Sequence, residues 1–115
     1  MAVAALSTGA CTESCLDYGL PAMVVSVSDS TTGAEVSTDS VTAVATDGSY
    51  IDIVSEASVY ALQGIYLAYE RPGTYAVLVT ATGYELWDTA GVRVRMNGCH
   101  VEPRSLEARL GPDRQ

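Results

Sequence analysis

The sequence has no lysine, no phenylalanine, a single histidine and only three cysteines. Its six basic residues are all arginine and stand against fourteen acidic ones, so the formal net charge is −8. An acidic surface repels phosphate backbones and anionic lipid headgroups, which argues against direct binding to nucleic acid or to a charged membrane surface. No run of 18 apolar residues occurs, and the sequence therefore predicts no membrane-spanning helix.

The length and composition are those of a single domain. The chain has 115 residues, of which 48% are hydrophobic, and we expect one core. No internal repeat or low-complexity linker divides it. We expect a residual signal segment and N-terminal arm over residues 1–20, one β-sandwich domain over residues 21–111, and a tail over residues 112–115.

From Pro21 onward, apolar side chains recur at every second position in short runs, which is the period of half-buried strands. Three runs share one apolar face each: Met23, Val25 and Val27; Tyr75, Val77, Val79 and Ala81; and Val92, Val94 and Met96. Two shorter strands, in "ASVYAL" and "IYLAYE", are expected on either side of Gly64.

Tight turns join these runs. Asp47-Gly48 and Asn97-Gly98 are strong signals for two β-hairpins. The one stretch with possible helical spacing, "SLEARL", is too short to stand alone as a helix. About seven to eight short strands joined by such turns predict an all-β fold, an antiparallel β-sandwich.

The N-terminal residues 2–10, "AVAALSTGA", are small, uncharged and lead directly into Cys11. They resemble the end of a bacterial lipoprotein signal, in which small residues precede the cysteine that is lipidated. That family usually has leucine three residues before the cysteine, where this chain has Thr8. The resemblance predicts lipidation of Cys11 and a natural signal that begins upstream of Met1. The alternative is an N-terminal arm with an incidental cysteine.

A lipid on Cys11 would leave Cys15 and Cys99 as a pair. A disulfide between them would close a long loop, contribute at most about 4 kcal/mol in the chain-entropy model, and require an oxidising compartment. Pairing of Cys11 with Cys99 stays open, because connectivity cannot be deduced from sequence alone.

Four stretches follow one another in the order "VSVSDSTTG", "DGSY", "ERPGTYAVLVTATGYELW" and "VRVRMNGCHVE". Together they resemble carboxypeptidase regulatory-like domains, which have a transthyretin-like (prealbumin-like) β-sandwich and occur in bacterial lipoproteins. The resemblance covers about Pro21 to Leu110, and its most specific part runs from Gly73 to Tyr84. It implies a Greek-key sandwich and a non-catalytic extracytoplasmic accessory domain, with no particular ligand and no cofactor.

Two positions within that stretch have physical explanations of their own. Gly73 follows Pro72 and suits a turn position with positive φ. Tyr84 lies just past the bend at Gly83, where we expect its ring to be buried and its hydroxyl to return to a backbone group, as corner tyrosines do.

We expect no catalytic residues. Cys99 and His100 are adjacent, but consecutive side chains of a strand point to opposite faces and do not form a dyad. The transthyretin-like fold includes a hydrolase of 5-hydroxyisourate, whose several histidines and C-terminal Tyr-Arg-Gly-Ser are absent from this sequence. Glu70, Glu85 and Asp88 could be acid–base groups of a glycosidase, yet nothing in the sequence places two carboxylates across a cleft.

We also expect no metal site. The three cysteines Cys11, Cys15 and Cys99 with His100 have the residue types of a zinc site. The opposed directions expected for Cys99 and His100 count against it. Calcium could use acidic side chains near the first hairpin, but their spacing does not match an EF-hand loop. Those side chains are Asp39, Asp47 and Asp52.

Two aromatic residues are candidates for ligand contact. Tyr66 is expected to point away from Ile65 and Tyr69 and to expose its ring, and Trp87 is the second candidate. For Trp87, as for Tyr75 and Tyr84, we expect core or corner packing, and a carbohydrate or peptide platform is the alternative. The longest expected loops, residues 31–39 and 56–64, are the other places where function could reside.

The favoured hypothesis is a non-enzymatic, lipid-anchored or secreted β-sandwich of the bacterial cell envelope. It would act as a structural or interaction module whose partner is a protein or a glycan. The alternative is a metal-binding or hydrolytic domain that uses Cys99, His100 and acidic loop residues, and it predicts free thiols or bound zinc.

Overall fold

The computed structural model of the chain describes residues 19–37, 40–55 and 64–113. Nine β-strands lie in these ranges, and none of the described residues is in an α-helix. The strands are β1 (Met23–Asp29), β2 (Val41–Asp47), β3 (Tyr50–Ser55), β4 (Ile65–Leu67), β5 (Gly73–Ala81), β6 (Trp87–Val94), β7 (Met96–Asn97), β8 (His100–Val101) and β9 (Arg104–Leu110). The predicted all-β class is therefore confirmed.

The strands form two main sheets and one small hairpin. Three strands form a sheet in the order β4-β1-β9, four strands form a second sheet in the order β3-β2-β5-β6, and β7 pairs with β8. Buried side chains from both main sheets form one hydrophobic cluster, so the arrangement is sandwich-like. Within the described ranges, no helix is long and apolar enough to cross a bilayer.

Alternating side chains explain which face of each strand is buried. The predicted inward positions of β1 and β5 are buried, including Met23 and Val25 in β1 and Tyr75 and Val79 in β5. Val92 and Val94 are buried as well, but Met96 is 47% exposed. The prediction for Met96 is wrong because β6 ends at Val94, and Met96 belongs to the separate β7-β8 hairpin.

One strand pair departs from the antiparallel prediction. β1 and β9 run parallel along their whole length, with Met23 opposite Arg104 and Asp29 opposite Leu110. A parallel pair needs a long crossover connection. Here the strands of the second sheet lie between β1 and β9 in sequence and supply that connection.

Both predicted hairpins are present, with each loop placed one residue later than expected. Asp47 pairs with Tyr50 across Gly48 and Ser49. In the second hairpin Asn97 pairs with His100, so that Gly98 and Cys99 form the loop.

Close approach explains why glycine begins β5. A Cβ built on Gly73, which has a φ of +157°, would overlap the carboxylate of Asp47 and meet the Arg71 guanidinium at 3.1 Å. The expected positive φ is confirmed, and a side chain at this position would also have to displace the Asp47 carboxylate.

Candidate functional site

The outward side of the four-stranded sheet is unusually apolar for the surface of an acidic protein. We call it the outer face and define it by eight residues: Val44, Thr46, Ile51, Ile53, Ala76, Leu78, Asp88 and Ala90. Ile51 and Ile53 are each 56% exposed and are two of the five large hydrophobic side chains exposed among the described residues. Contiguous exposed apolar side chains are typical of interaction surfaces.

Strand register arranges the outer face as two adjacent rows that cross all four strands. In the first row Ile53 pairs with Val44, Val44 with Leu78, and Leu78 with Asp88. In the second row Ile51 pairs with Thr46, and Thr46 with Ala76. Each row thus begins with an isoleucine on the edge strand β3.

A β-bulge extends the second row into β6. Tyr75 pairs with Val92 and Val77 pairs with Thr89, so Ala90 and Gly91 together oppose the single residue Ala76. Gly91 has a φ of +71°, a left-handed conformation that glycine adopts at little cost. Bulges of this kind bend a strand locally and redirect its side chains.

A shallow groove of about 300 Å³ lies at this bulge. Its floor and walls come from small and aliphatic residues together with two threonines and one carboxylate: Val44, Thr46, Ala76, Val77, Leu78, Asp88, Thr89 and Ala90. Because Ala76 and Ala90 have the smallest side chains on the outer face, the surface is depressed between the bulkier Leu78 and the rim of β6.

Asp88 is the one charged residue that lines the groove. Its side chain is exposed and makes no hydrogen bond or ion pair within the described part of the chain. Arg93 lies further along β6, beyond the bulge and opposite Thr74, and does not line the groove. The groove can therefore hold the apolar part of a bound group and place the Asp88 carboxylate beside its polar part.

A polar cluster separate from the groove surrounds Arg71, which follows β4. Its guanidinium donates to Asp47 Oδ2 at 3.0 Å and to the Tyr75 hydroxyl at 3.1 Å, and it lies over the Tyr50 ring at 4.0 Å from the centroid. Tyr75 donates its own hydroxyl to the Arg71 carbonyl at 2.6 Å. These hydrogen bonds raise the pKa of Arg71, with Tyr75 the larger cause and Asp47 the second. The cluster joins the β2-β3 hairpin to the start of β5.

Glu70 ties three segments of the chain together. Its carboxylate bonds to His100 Nδ1 and accepts the backbone N–H of Leu20 at 2.9 Å and of Val101 at 3.2 Å. The bond with His100, followed by the two backbone bonds, lowers the pKa of Glu70. Glu70 also has a φ of +53°, which is rare outside glycine.

The hydroxyl of Tyr84 does not bond to a backbone group among the described residues, so that prediction is wrong. The hydroxyl donates to Asp29 Oδ2 at 2.8 Å, and Asp29 Oδ1 accepts the backbone N–H groups of Thr31 and Thr32. The bond from Tyr84 is the largest cause that lowers the pKa of Asp29. The tyrosine that returns its hydroxyl to a backbone carbonyl is instead Tyr75.

The two predicted ligand-contact residues lie in different sheets. Tyr66, in β4, is half-buried and meets the exposed Tyr69 edge to face at a centroid separation of 6.3 Å, so the expectation that the two rings point apart is wrong. Trp87, at the start of β6, is half-buried and packs against the core. The structure does not bring these two residues together.

The predicted lipidation and disulfide residues fall largely outside the described part of the chain. Cys11 and Cys15 lie outside it, so lipidation of Cys11 and the pairing of Cys15 with Cys99 stay predictions. Cys99 lies in the loop of the β7-β8 hairpin and His100 in β8, so the prediction that the two lie side by side on one strand is wrong.

The acidic residues considered for calcium are used in other ways. Asp47 pairs with Arg71, and Asp52 Oδ2 accepts the backbone N–H of Ala68 at 2.8 Å, while Asp39 lies outside the described residues. Among residues 19–37, 40–55 and 64–113, no three acidic, histidine or cysteine side chains are grouped to hold a metal ion.

The outer face was missed at the level of sequence, although a signal for it exists. In "YIDIV", Ile51 and Ile53 alternate with Tyr50 and Val54, which pack towards the core. A strand with apolar residues on both faces is covered on both sides or carries an exposed apolar face.

Comparison of the chain with protein-family models, curated proteins and solved structures finds no match.

Proposed function

We propose that this protein is a non-catalytic, extracytoplasmic module of the bacterial cell envelope that binds a protein partner through its outer face. In this proposal the β-sandwich is transthyretin-like, as in carboxypeptidase regulatory-like domains, and a lipid on Cys11 holds it at the membrane. The observation that carries the binding role is the exposure of Ile51 and Ile53 beside a groove.

The chemistry of the outer face favours a protein over a glycan. Its apolar residues are aliphatic, whereas sugars are usually held against aromatic rings with polar groups at their edges. The exposed ring of Tyr69 lies at the end of the three-stranded sheet, in contact with Tyr66. Aliphatic side chains release ordered water when they pack against the apolar side chains of a peptide or protein.

The polar clusters support a structural role for the rest of the molecule. Glu70 and Asp29 each accept several hydrogen bonds from other parts of the chain, and Arg71 is shared between Asp47 and Tyr75. Such groups fix loops relative to the sheets. Of these groups, Arg71 contacts the strands that carry the outer face, because it joins the β2-β3 hairpin to the start of β5.

Site-specific photo-crosslinking in the cells that make the protein tests this proposal. A benzophenone amino acid placed at Ile53 should give a crosslink to one defined protein. The same probe at Ser105, an exposed position on β9 of the other sheet, is the matched control and should give none. Equal crosslinking from both positions, or none from Ile53, would overturn the proposal.

A further inference from the structure

We propose that the occupant of the outer face is an extended protein segment with an aliphatic residue at one position and a lysine or arginine four positions away. This inference rests on the proposed function, because it names the chemistry of the partner that the outer face binds. It follows from the order in which apolar, small and charged groups occur across the four strands.

The first row of the outer face changes character from one edge of the sheet to the other. It begins at the exposed Ile53 on β3 and ends at the exposed carboxylate of Asp88 on β6. The carboxylate of Asp88 has no hydrogen-bonding or ionic partner among the described residues, so its negative charge is not used within that part of the fold. An apolar group therefore fits the β3 side, and a cationic group fits the β6 side.

The groove between these two ends fits the side chain of a lysine or arginine. Ala76 and Ala90 leave room over the bulge, and Val44 and Leu78 give that space apolar walls. Lysine and arginine have long aliphatic stems that pack on apolar surface while the charged end reaches a polar group. With the stem over the two alanines, the charged end can meet the carboxylate of Asp88.

Strand spacing sets the spacing of the partner's residues. Neighbouring strands lie about 4.8 Å apart, so three intervals separate Ile53 from Asp88 by about 14 Å. An extended peptide advances about 3.4 Å per residue, and residues four apart on one face are separated by nearly the same distance. A peptide that crosses the strands can thus place an aliphatic residue at Ile53 and a cation at Asp88.

Charge argues for this partner over a second copy of the chain. Two copies would each carry a net charge of −8 and repel each other on approach. A basic segment is attracted by the same charge. Arg93 is positive but lies beyond the bulge and outside the groove, so it does not neutralise the position that Asp88 occupies.

Selection from a random heptapeptide library, displayed on phage and applied to the folded full chain, tests the inference without a known ligand. We expect enrichment of peptides with lysine or arginine four positions before or after an aliphatic residue. Affinities of the selected peptides, made synthetically, are then compared between the wild type, Asp88→Lys, the double variant Ile51→Thr/Ile53→Thr, and Glu107→Lys. Glu107 is an exposed residue of β9 in the other sheet, and its variant changes the net charge by the same amount as Asp88→Lys.

Asp88→Lys should weaken binding about tenfold, and Glu107→Lys by less than about twofold, since a direct charge contact contributes more than the distant field. The double variant should also weaken binding. No enrichment, or equal effects of Asp88→Lys and Glu107→Lys, would overturn the basic partner. Peptides that depend on Ile51 and Ile53 but not on Asp88 would overturn it while leaving the proposed function in place. Peptides whose affinity is the same for the wild type and all of these variants would count against the basic partner and against the proposed function.

Discussion

Glu70 shows how one side chain connects pH to the integrity of the fold. Its pKa is lowered by the bond with His100 and by the backbone N–H groups of Leu20 and Val101, from an ordinary value of 4.5. A carboxyl with a lowered pKa stabilises the folded state above its unfolded pKa, and this contribution is lost as the pH falls through the folded pKa. The charged form of Glu70 is thus the form that the fold requires.

We predict that Glu70→Gln lowers the free energy of unfolding at pH 7, and that the difference from the wild type becomes smaller as the pH falls below 4.5. Urea unfolding of both proteins at a series of pH values measures this difference. Glu107→Gln, at an exposed position of β9, controls for the removal of one negative charge. A gap that stays constant down to pH 2 would show that the charge of Glu70 is not what matters.

The hydroxyl of Tyr75 is the second group at this scale whose contribution to stability can be measured. The residue is 1% exposed, and its hydroxyl both donates to the Arg71 carbonyl and accepts from the Arg71 guanidinium. Tyr75→Phe leaves both groups without that partner, and we expect a loss of about 1–2 kcal/mol in the free energy of unfolding. Tyr69→Phe, which changes an exposed ring in the same way, should have little effect. Equal losses in the two variants would contradict the assignment.

At the scale of elements, the β6 bulge is what shapes the groove. Gly91 adopts a φ of +71° there, and a non-glycine residue in the left-handed region costs about 1–2 kcal/mol. We predict that Gly91→Ala destabilises the protein by about 1 kcal/mol and that Gly91→Asn costs less, because asparagine tolerates this conformation better. Chemical denaturation of the two variants compares them, and equal losses would show that φ is not the cause.

The strands could be predicted from sequence where alternation is strict. β1 and β5 show their buried faces directly in the pattern, and the glycine-containing turns locate both hairpins to within one residue. The parallel pairing of β1 with β9 could not be predicted, since it joins residues from the two ends of the chain. Pairing at that distance depends on packing of the whole domain and leaves no local signal.

The candidate site was predictable only in part. Tyr66 and Trp87 are candidates because aromatic rings often contact ligands, yet their positions depend on which sheet each strand joins. Ile51 and Ile53 carry a local signal, but a strand with two apolar faces is equally typical of a buried strand. Only the sheet order, with β3 at an edge, shows that this face is exposed.

The whole molecule has a net charge of −8, and its proposed envelope location rests on the small residues that precede Cys11 and on the three cysteines of the sequence. We predict that protein isolated from the cells that make it carries an acyl group on Cys11 and a disulfide between Cys15 and Cys99. Intact mass followed by thiol alkylation and peptide mapping measures both. Three free thiols, or a mass that includes zinc, would favour the metal-binding alternative over an envelope lipoprotein.

Binding through the outer face requires that Ile51 and Ile53 contribute little to the stability of the fold. The free energy of unfolding of the double variant Ile51→Thr/Ile53→Thr measures that contribution, because threonine suits a strand as well as isoleucine does. Leu67→Ala, at a fully buried position, is the reference and should lose about 2–5 kcal/mol. We expect the double variant to stay within about 0.5 kcal/mol of the wild type, as exposed substitutions do. A loss comparable to that of Leu67→Ala would show that the two isoleucines are buried within the protein itself and are not available to a partner.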